Sequence, residues 1–115
     1  MRYFYDTEFI EDGSTIELVS IGIVAEDGRE FYAVSNDFDA SRANEWVRDN
    51  VLSKLPRASH PAWKPLRQIR EEAHAFLDAG RGVPELWAWV GAYDHVVKGP
   101  SRRELLNDIR AEQRN

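Results

Sequence analysis

The sequence predicts an α/β domain built on a mixed sheet, in which three antiparallel strands are followed by helices and a further strand. The first part of the chain holds three segments rich in β-branched and aromatic residues, separated by turn-forming residues. Later segments change to a helical spacing of apolar residues before one more apolar run. This order of elements is typical of an α/β sheet rather than a helical bundle.

Turn chemistry bounds each of the first three strands. Residues 1–9 are predicted to form the first strand, and Glu11-Asp12-Gly13-Ser14 then reverses the chain. The β-branched run from Ile16 to Ala25 is expected to be a central strand. Asp27-Gly28 is a strong hairpin signal, so Glu30 to Val34 is predicted to follow as an antiparallel third strand.

Two helices and a fourth strand are predicted in the second half. The segment from Ser41 to Leu52 has helical spacing, with Ser41 placed to cap it. A proline-containing loop separates it from a second helix, Leu66 to Ala79, which Gly80 ends. The run from Glu85 to Gly91 is expected to be a buried strand, while residues 98–115 are polar and weakly apolar.

Length and composition fit a single domain spanning residues 1–115. The chain is 43% hydrophobic and 30% charged, as expected for a globular domain of 115 residues. It has no cysteine, which excludes disulfides and thiolate metal sites, so a metal ion must be bound by oxygen or histidine. No segment has the apolar length of a membrane helix, and no basic leader precedes an apolar stretch. We therefore expect a cytoplasmic protein without membrane contact.

Charge is distributed unevenly along the chain. The formal net charge of −5 argues against a protein that coats nucleic acid by bulk electrostatics. Residues 1–50 hold 4 basic and 12 acidic side chains, whereas residues 51–115 hold 11 and 8. An acidic half beside a mildly basic half is compatible with a metal site that acts on a phosphate chain.

The most informative stretch is the aromatic run Tyr3-Phe4-Tyr5, which continues into Asp6-Thr7-Glu8-Phe9. Side chains alternate along a strand, so the two carboxylates are expected on one face, where they repel each other. A divalent cation between them relieves this repulsion, because Mg²⁺ and Mn²⁺ prefer oxygen ligands. The alternative is that the strand ends near Asp6 and both acids are solvated.

Asp94 and Phe9 extend the candidate site. Asp94 lies just past the last predicted strand, and if that strand lies beside the first one, Asp94 joins Asp6 and Glu8 at one end of the sheet. Its alternative role is to cap a helix. Phe9 is placed at the edge of the acidic site, where it either stacks on a nucleobase or packs in the core.

The histidines leave the general base unassigned. His60 lies in the proline-containing loop and is expected to be exposed, and His74 lies among polar helical neighbours. His95 is adjacent to Asp94, but neighbouring residues on a helix point in different directions. Packing is therefore as good an explanation for His95 as catalysis.

These motifs resemble a known family. Asp6-Thr7-Glu8-Phe9, with Ser20-Ile21-Gly22 in the following strand, resembles the first motif of the DEDD 3′-5′ exonucleases, the RNase T-like superfamily. The segment from Arg2 to Gly13, together with Glu85 to His95, is similar to RNase AS, the polyadenylate-specific exoribonucleases. The similarity covers about residues 1–97 and is specific at both ends.

The resemblance implies a fold, an activity and a site. It implies an RNase H-like fold, a homodimer, and two Mg²⁺ or Mn²⁺ ions that serve the release of AMP from adenylate-rich RNA 3′ ends. The positions that match the family's metal ligands are Asp6, Glu8 and Asp94, and Thr7 and Phe9 fall where substrate binds.

The third motif of that family is missing or altered. The family has a histidine followed five residues later by an aspartate, which act as general base and fourth metal ligand, and no such pair occurs here. In one alignment an internal deletion after about residue 97 puts Arg103 in place of the base and Asp108 in place of the fourth acid. In the other, Arg103-Glu104-Leu105 matches an earlier segment and the chain is truncated before the motif.

Two functions follow from this departure. An arginine stays protonated and cannot act as a base, so loss of the histidine should lower the rate by about 10²- to 10⁴-fold. The leading hypothesis is a metal-dependent 3′-5′ exoribonuclease, a hydrolase acting on adenylate-rich ends. The alternative is a catalytically impaired relative that binds RNA ends or a partner protein without cleaving.

Overall fold

The computed structural model describes residues 1–88, which form a five-stranded mixed sheet and two α-helices. The strands are β1 (Arg2–Glu11), β2 (Ile16–Ala25), β3 (Glu30–Ser35), β4 (Trp63–Lys64) and β5 (Glu85–Ala88). The helices are α1 (Glu45–Asn50) and α2 (Leu66–Asp78), with 3₁₀ turns at Ala40–Arg42 and Leu52–Lys54. Within this part of the chain, no helix is long and apolar enough to cross a lipid bilayer.

The strand order β4-β3-β2-β1-β5 confirms the predicted mixed α/β sheet. β1, β2 and β3 are antiparallel neighbours, with β2 in the middle of the sheet as expected. β5 pairs with β1 in parallel, with Tyr5 opposite Ala88, so the later strand does lie beside the first. This pairing meets the condition on which the sequence placed Asp94 near the acid pair.

Local turn residues set the two hairpins at their predicted places. In the first, Asp12 Oδ1 accepts hydrogen bonds from the backbone N–H groups of Ser14 (3.0 Å) and Thr15 (2.9 Å). In the second, Gly28 adopts a φ of 95°, a left-handed conformation that residues with a Cβ rarely take. The predicted bounds of β2 are those observed, because its neighbouring turns are fixed by local chemistry.

The segment after β3 differs from the prediction of one helix capped by Ser41. Asp39 caps the 3₁₀ turn by accepting from the Ser41 N–H at 3.0 Å. Asn44 caps α1 by accepting from the Val47 N–H at 2.7 Å. The two capping side chains divide the segment, so Ser41 donates to a cap and is not the cap of a long helix.

Helix α2 packs against one face of the sheet, over an apolar cluster. The buried members are Tyr3, Ile23 and Ala25, and side chains from α2 such as Phe76 and Leu77 cover them. The Tyr3 hydroxyl donates to the Leu77 carbonyl at 2.9 Å, near the end of the helix. Gly80 follows the helix directly, and a Cβ there would collide with the Tyr3 hydroxyl. The predicted stop at Gly80 therefore also has a packing cause.

Two strands depart from the sequence prediction. β4 was not predicted, because it is two residues long and lies in the proline-containing loop, where only backbone pairing to Val34 and Ser35 defines it. β5 was predicted to be buried, yet Leu86 and Trp87 are 55% and 47% exposed. An apolar segment can form a strand at the edge of a sheet as well as one in its interior, and the hydrophobicity of the segment does not distinguish these two positions. The rest of that predicted strand lies outside residues 1–88.

Candidate active site

Asp6 and Glu8 lie on the same face of β1 and mark the candidate site. Asp6 is paired with Gly22 of β2, and Glu8 is paired with Ser20, two residues further along each strand. Because side chains at i and i+2 of a strand share a face, the two carboxylates are neighbours, as the sequence predicted. β1 continues to Glu11. The strand therefore does not end near Asp6, and the alternative of a loop start is wrong.

The Asp6 side chain is fixed by a hydrogen bond from the backbone of the next residue. The side chain is buried, with 7% of its surface exposed. Its Oδ1 atom accepts a hydrogen bond from the Thr7 N–H at 2.8 Å. The alternation of the strand directs the Thr7 side chain to the opposite face. In the described structure Thr7 thus contributes its backbone N–H, which fixes the rotamer of Asp6.

Glu8 is in an unfavourable environment for a charge. Its Oε1 atom is buried and accepts no hydrogen bond within residues 1–88. Burial, and secondly the negative charge of Asp6, raise the pKa of Glu8 from 4.5 to about 7. Both causes act against the ionised form. Glu8 is therefore a carboxylate that a positive charge nearby would stabilise strongly.

Two residues of β2 lie next to the acids and complete the part of the site that the structure describes. Ser20 lies across from Glu8 and is 5% exposed, and Gly22 lies across from Asp6. Sequence reasoning assigned neither of them a role. The signal was present, because Ser20 and Gly22 are the two interruptions of an otherwise apolar run from Leu18 to Ala25. Ser20 and Gly22 alternate along β2 in the same way as Glu8 and Asp6 alternate along β1, and each is paired with one of the two acids.

A β-bulge lies directly beside Glu8. The pairing passes from Glu8 with Ser20 to Phe9 with Leu18, so Val19 is an extra residue on β2. Bulges bend a strand and re-aim the side chains next to them, and they are frequent beside active sites. The direction of the Glu8 side chain thus depends on the bulge as well as on the regular alternation of side chains along β1.

Aromatic rings flank the two acids along β1. Phe9 follows Glu8 and is 45% exposed, so of its two alternative roles the one in which it packs in the core is wrong. Two residues before Asp6, Phe4 stacks on Trp87 of β5 with ring centroids 6.5 Å apart. Phe4 shares a face of β1 with Asp6 and Glu8, whereas the alternation that turns Thr7 away also puts Phe9 on the opposite face. The rings of Phe4 and Trp87 therefore give the site an aromatic surface on one side of the carboxylates, which suits an aromatic ligand such as a nucleobase.

The chemistry of the acid pair fits a divalent cation. Both side chains offer oxygen ligands, and the buried Oε1 of Glu8 has no donor within residues 1–88. In this part of the chain no group of three or more acidic or histidine side chains forms a metal cluster. Mg²⁺ is often held by only one or two carboxylates together with substrate phosphates, so two acids suffice for a partial site.

Several predicted residues lie outside the described part of the chain. These are the proposed third ligand Asp94, its neighbour His95, and Arg103 and Asp108 of the altered third motif. Of the predicted site residues, the structure brings Asp6 and Glu8 together on one face of β1, and Thr7 contributes its backbone N–H to Asp6.

Comparisons with known proteins agree with the motifs. The family profile described as the 3′-5′ exoribonuclease Rv2179c-like domain matches residues 1–99, a range that includes Asp94. Two curated proteins of Mycobacterium tuberculosis are similar: 3′-5′ exoribonuclease Rv2179c from strain H37Rv and 3′-5′ exoribonuclease MT2234.1 from strain CDC 1551. Each is 64% identical over 98 residues, which cover 84% of this chain.

The matched segment covers only part of the relatives. It spans 58% of the length of each of the two mycobacterial proteins. Asp108 lies beyond the residues that the family profile matches. A profile match over most of the chain and this level of identity nevertheless establish the relationship: the chain belongs to the 3′-5′ exoribonuclease Rv2179c-like family.

Proposed function

We propose that this chain is a metal-dependent 3′-5′ exoribonuclease domain of the DEDD type, similar to RNase AS, which releases AMP from adenylate-rich RNA 3′ ends. The observation that carries the proposal is a pair of carboxylates on one face of β1, the buried Asp6 and the half-buried Glu8, within a chain of an exoribonuclease family. The order β3-β2-β1-β5, with β5 parallel to β1, supports an RNase H-like fold for the domain.

The proposed metal ligands are Asp6, Glu8 and Asp94, with Asp108 as a candidate fourth acid. Two Mg²⁺ or Mn²⁺ ions at such a site supply an activated water and stabilise the leaving oxygen of phosphodiester hydrolysis. The net negative environment of Asp6 and Glu8 supports this assignment, since the raised pKa of Glu8 has repulsion by Asp6 as its second cause. Ionisation of Glu8 then accompanies cation binding.

The described residues would prepare the site for the RNA end. The Thr7 N–H holds Asp6 Oδ1, which leaves the carboxylate fixed in one orientation. We propose that the exposed Phe9 stacks on the terminal base, an interaction worth about 1 to 3 kcal/mol per base. Stacking alone accepts every base, so a preference for adenine requires additional hydrogen bonds to the base edge.

The altered third motif favours a second candidate function. Within these 115 residues no histidine is followed five residues later by aspartate, so they contain no match to the general base that the resemblance implies. A chain that keeps the acid pair but lacks the base would bind RNA ends, or a partner protein, and cleave slowly or not at all. This candidate predicts metal and RNA binding with little release of AMP.

One experiment separates the two candidates. The chain is incubated with 5′-labelled oligoadenylate and Mn²⁺, and stepwise shortening of the labelled strand reports the release of AMP from its 3′ end. The variants are Asp6→Ala and the matched control Glu11→Ala, an exposed acid on the same strand. Release of AMP by the wild type and by Glu11→Ala, with loss in Asp6→Ala, supports the exoribonuclease. No release by any of them rejects cleavage, and equal release by all three identifies a contaminant. An oligouridylate of the same length tests the preference for adenine.

The remaining parts of the proposal concern assembly and location. We propose a cytoplasmic homodimer without membrane contact, in keeping with the family resemblance. Light scattering of the purified chain measures the subunit number directly.

A further inference from the structure

The face of β1 that carries the acid pair also carries an aromatic residue. Phe4, Asp6 and Glu8 are alternate residues of the strand, so their side chains lie on one face of the sheet. Two residues of a strand span about 7 Å, which separates the backbone of Phe4 from that of Asp6. A ligand held at the acids can therefore extend to Phe4 with its next unit.

Trp87 of β5 enlarges this aromatic surface. It is the register partner of Phe4 in the parallel pairing of β5 with β1, so both rings lie on the face of the acids. Their ring centroids are 6.5 Å apart, and the ring planes meet at 28°. Trp87 is 47% exposed, whereas Phe4 is half-buried. Trp87 is therefore the solvent-exposed member of the pair, and Phe4 supports it from the side of β1.

Exposure alone does not distinguish Trp87, because all four residues of β5 are exposed. The face on which it lies does. Leu86 is 55% exposed but pairs with Tyr3, which belongs to the cluster under α2. Leu86 therefore points to the α2 side of the sheet, and Trp87 points to the side of the acids. These neighbouring exposed apolar residues lie on opposite faces of one strand, which makes Leu86 a matched control for Trp87.

The charges around this aromatic pair favour an uncharged group over a phosphate. Arg2 precedes Phe4 on the same face of β1. Its Nε atom lies 3.6 Å from Glu26 Oε2, and Glu85 is its register partner on β5. With Asp6 on the other side of the pair, acids outnumber the single arginine among these neighbours. The part of a nucleotide that suits this surface is therefore its base, which stacks on an aromatic ring.

We propose that the Phe4–Trp87 pair, which we call the aromatic subsite, binds the base of the nucleotide that precedes the 3′-terminal one in the RNA. The proposal rests on the proposed function, because it takes the acid pair to hold the last phosphodiester of the same strand. The base stacks on the exposed side of Trp87, and the strand leaves the acids towards the start of β1. Stacking accepts every base, so the subsite adds affinity for RNA rather than a preference for adenine.

Binding of 5′-fluorescein decaadenylate to the full chain tests the subsite. Fluorescence anisotropy is measured with Ca²⁺, which takes oxygen ligands in a looser geometry than Mg²⁺, and gel electrophoresis confirms that the probe is intact. Trp87→Ala is expected to weaken binding at least about fivefold, whereas Trp87→Phe keeps a ring and stays within about threefold of the wild type. Equal affinity of the wild type and Trp87→Ala overturns the proposal.

A substitution on the other face of β5 separates base contact from support of the strand. Leu86→Ala removes a neighbouring exposed side chain and should bind decaadenylate within about twofold of the wild type. An equal loss of affinity in Leu86→Ala and Trp87→Ala would mean that both only support β5, which overturns the subsite. Thermal unfolding of each variant checks that it remains folded under the conditions of the binding assay.

Short ligands locate the nucleotide that Trp87 contacts. AMP fills only the terminal position, whereas the dinucleotide pApA also reaches the preceding one. In competition with the labelled probe, the wild type should bind pApA at least about fivefold more tightly than AMP, and Trp87→Ala should lose most of this gain. If Trp87→Ala instead weakened AMP and pApA equally, Trp87 would contact the terminal base, which contradicts the assigned position.

The outcomes for the subsite and for cleavage are distinguishable. If no sample releases AMP from oligoadenylate with Mn²⁺, while Trp87→Ala loses affinity for decaadenylate and Leu86→Ala does not, cleavage fails and the subsite stands. If AMP is released but Trp87→Ala binds decaadenylate as the wild type does, the subsite fails and the proposed function stands.

Discussion

Glu8 faces the same side of β1 as Asp6, and the negative charge of Asp6 adds to burial in raising the pKa of Glu8 to about 7. This relationship ties the candidate site to the stability of the protein. In the unfolded chain Glu8 ionises near its ordinary pKa of 4.5, whereas in the folded chain it keeps its proton to about pH 7. The folded state therefore binds more protons across that interval, and its stability decreases as the pH rises.

The first prediction concerns this pH dependence. The contribution of Glu8 is fully present below pH 4.5 and is lost as the pH passes 7, at a cost of about 1 to 3 kcal/mol. Urea unfolding in EDTA at pH 5 and pH 8 measures the difference. Glu8→Gln should remove most of it and be the more stable protein at pH 8. Glu11→Gln, an exposed acid of the same strand, should keep the wild-type slope, and a wild-type slope in Glu8→Gln would contradict the assignment.

The second prediction concerns divalent cations. A cation bound only by the folded state stabilises it by about 2.7 kcal/mol at one hundred times the dissociation constant. Added Mn²⁺ should therefore raise the melting temperature of the wild type by several degrees at pH 8, where Glu8 ionises readily. Asp6→Asn should lose this rise and Glu11→Gln should retain it. If Mn²⁺ raised the melting temperature of Asp6→Asn equally, the ion would bind elsewhere.

The third prediction concerns Arg29, which connects the turn between β2 and β3 with the end of α2. Its guanidinium donates to the Tyr3 hydroxyl and to the Phe76 carbonyl, each at 3.1 Å, and lies 4.7 Å from the centre of the Phe76 ring. Arg29→Met should lower the free energy of unfolding by about 1 to 2 kcal/mol.

Chemical denaturation of Arg29→Met beside Arg67→Met provides the comparison. The Arg67 side chain is 90% exposed, and within residues 1–88 its ion pair is with Glu71 across a helical turn, so its loss should change stability by less than about 0.5 kcal/mol. If the two substitutions lowered the free energy of unfolding equally, the contacts of Arg29 would not stabilise the fold as predicted.

The fourth prediction concerns the start of α2. Pro65 has no capping side chain, and Asp37 Oδ2 instead accepts from the Leu66 N–H at 2.7 Å. Asp37→Ala should cost about 1 kcal/mol, the usual value of a lost N-terminal cap, and Asp37→Asn should cost less because it keeps an acceptor oxygen. Thermal unfolding measures both, and an Asn variant as unstable as the Ala variant would argue against capping.

Local signals explain which elements the sequence predicts well. The ends of β2 follow from Asp12 and Gly13 on one side and Asp27 and Gly28 on the other, whose conformational preferences depend on near neighbours. The cap of α1 was mispredicted because Asp39, Ser41 and Asn44 are all capping residue types in one short segment, and Asp39 and Asn44 each cap a separate turn by accepting from the Ser41 and Val47 N–H groups. β4 has no sequence signal, since two residues pair only through their backbone.

In the candidate site, too, some features follow from local sequence and others depend on how the strands pair. Alternation along β1 was enough to put Asp6 and Glu8 on one face. The raised pKa of Glu8 and the neighbouring Ser20 depend on the pairing of β1 with β2, including the bulge at Val19. Register across strands is a tertiary property, so the neighbours of an acid on the next strand are not contained in its own segment. The exposure of Phe9 was likewise open from the sequence.

The sheet separates the described core into two clusters. Tyr3 and Ile23 belong to the cluster under α2, whereas Ile10 and Val19 pack with residues of the α1 region. Ile10 lies two residues beyond Glu8, so the acids share their face of β1 with the α1-region cluster, and α2 covers the opposite face. Substitutions in the α1-region cluster would therefore alter the packing beside the carboxylates without touching them, whereas substitutions under α2 act from behind the strand.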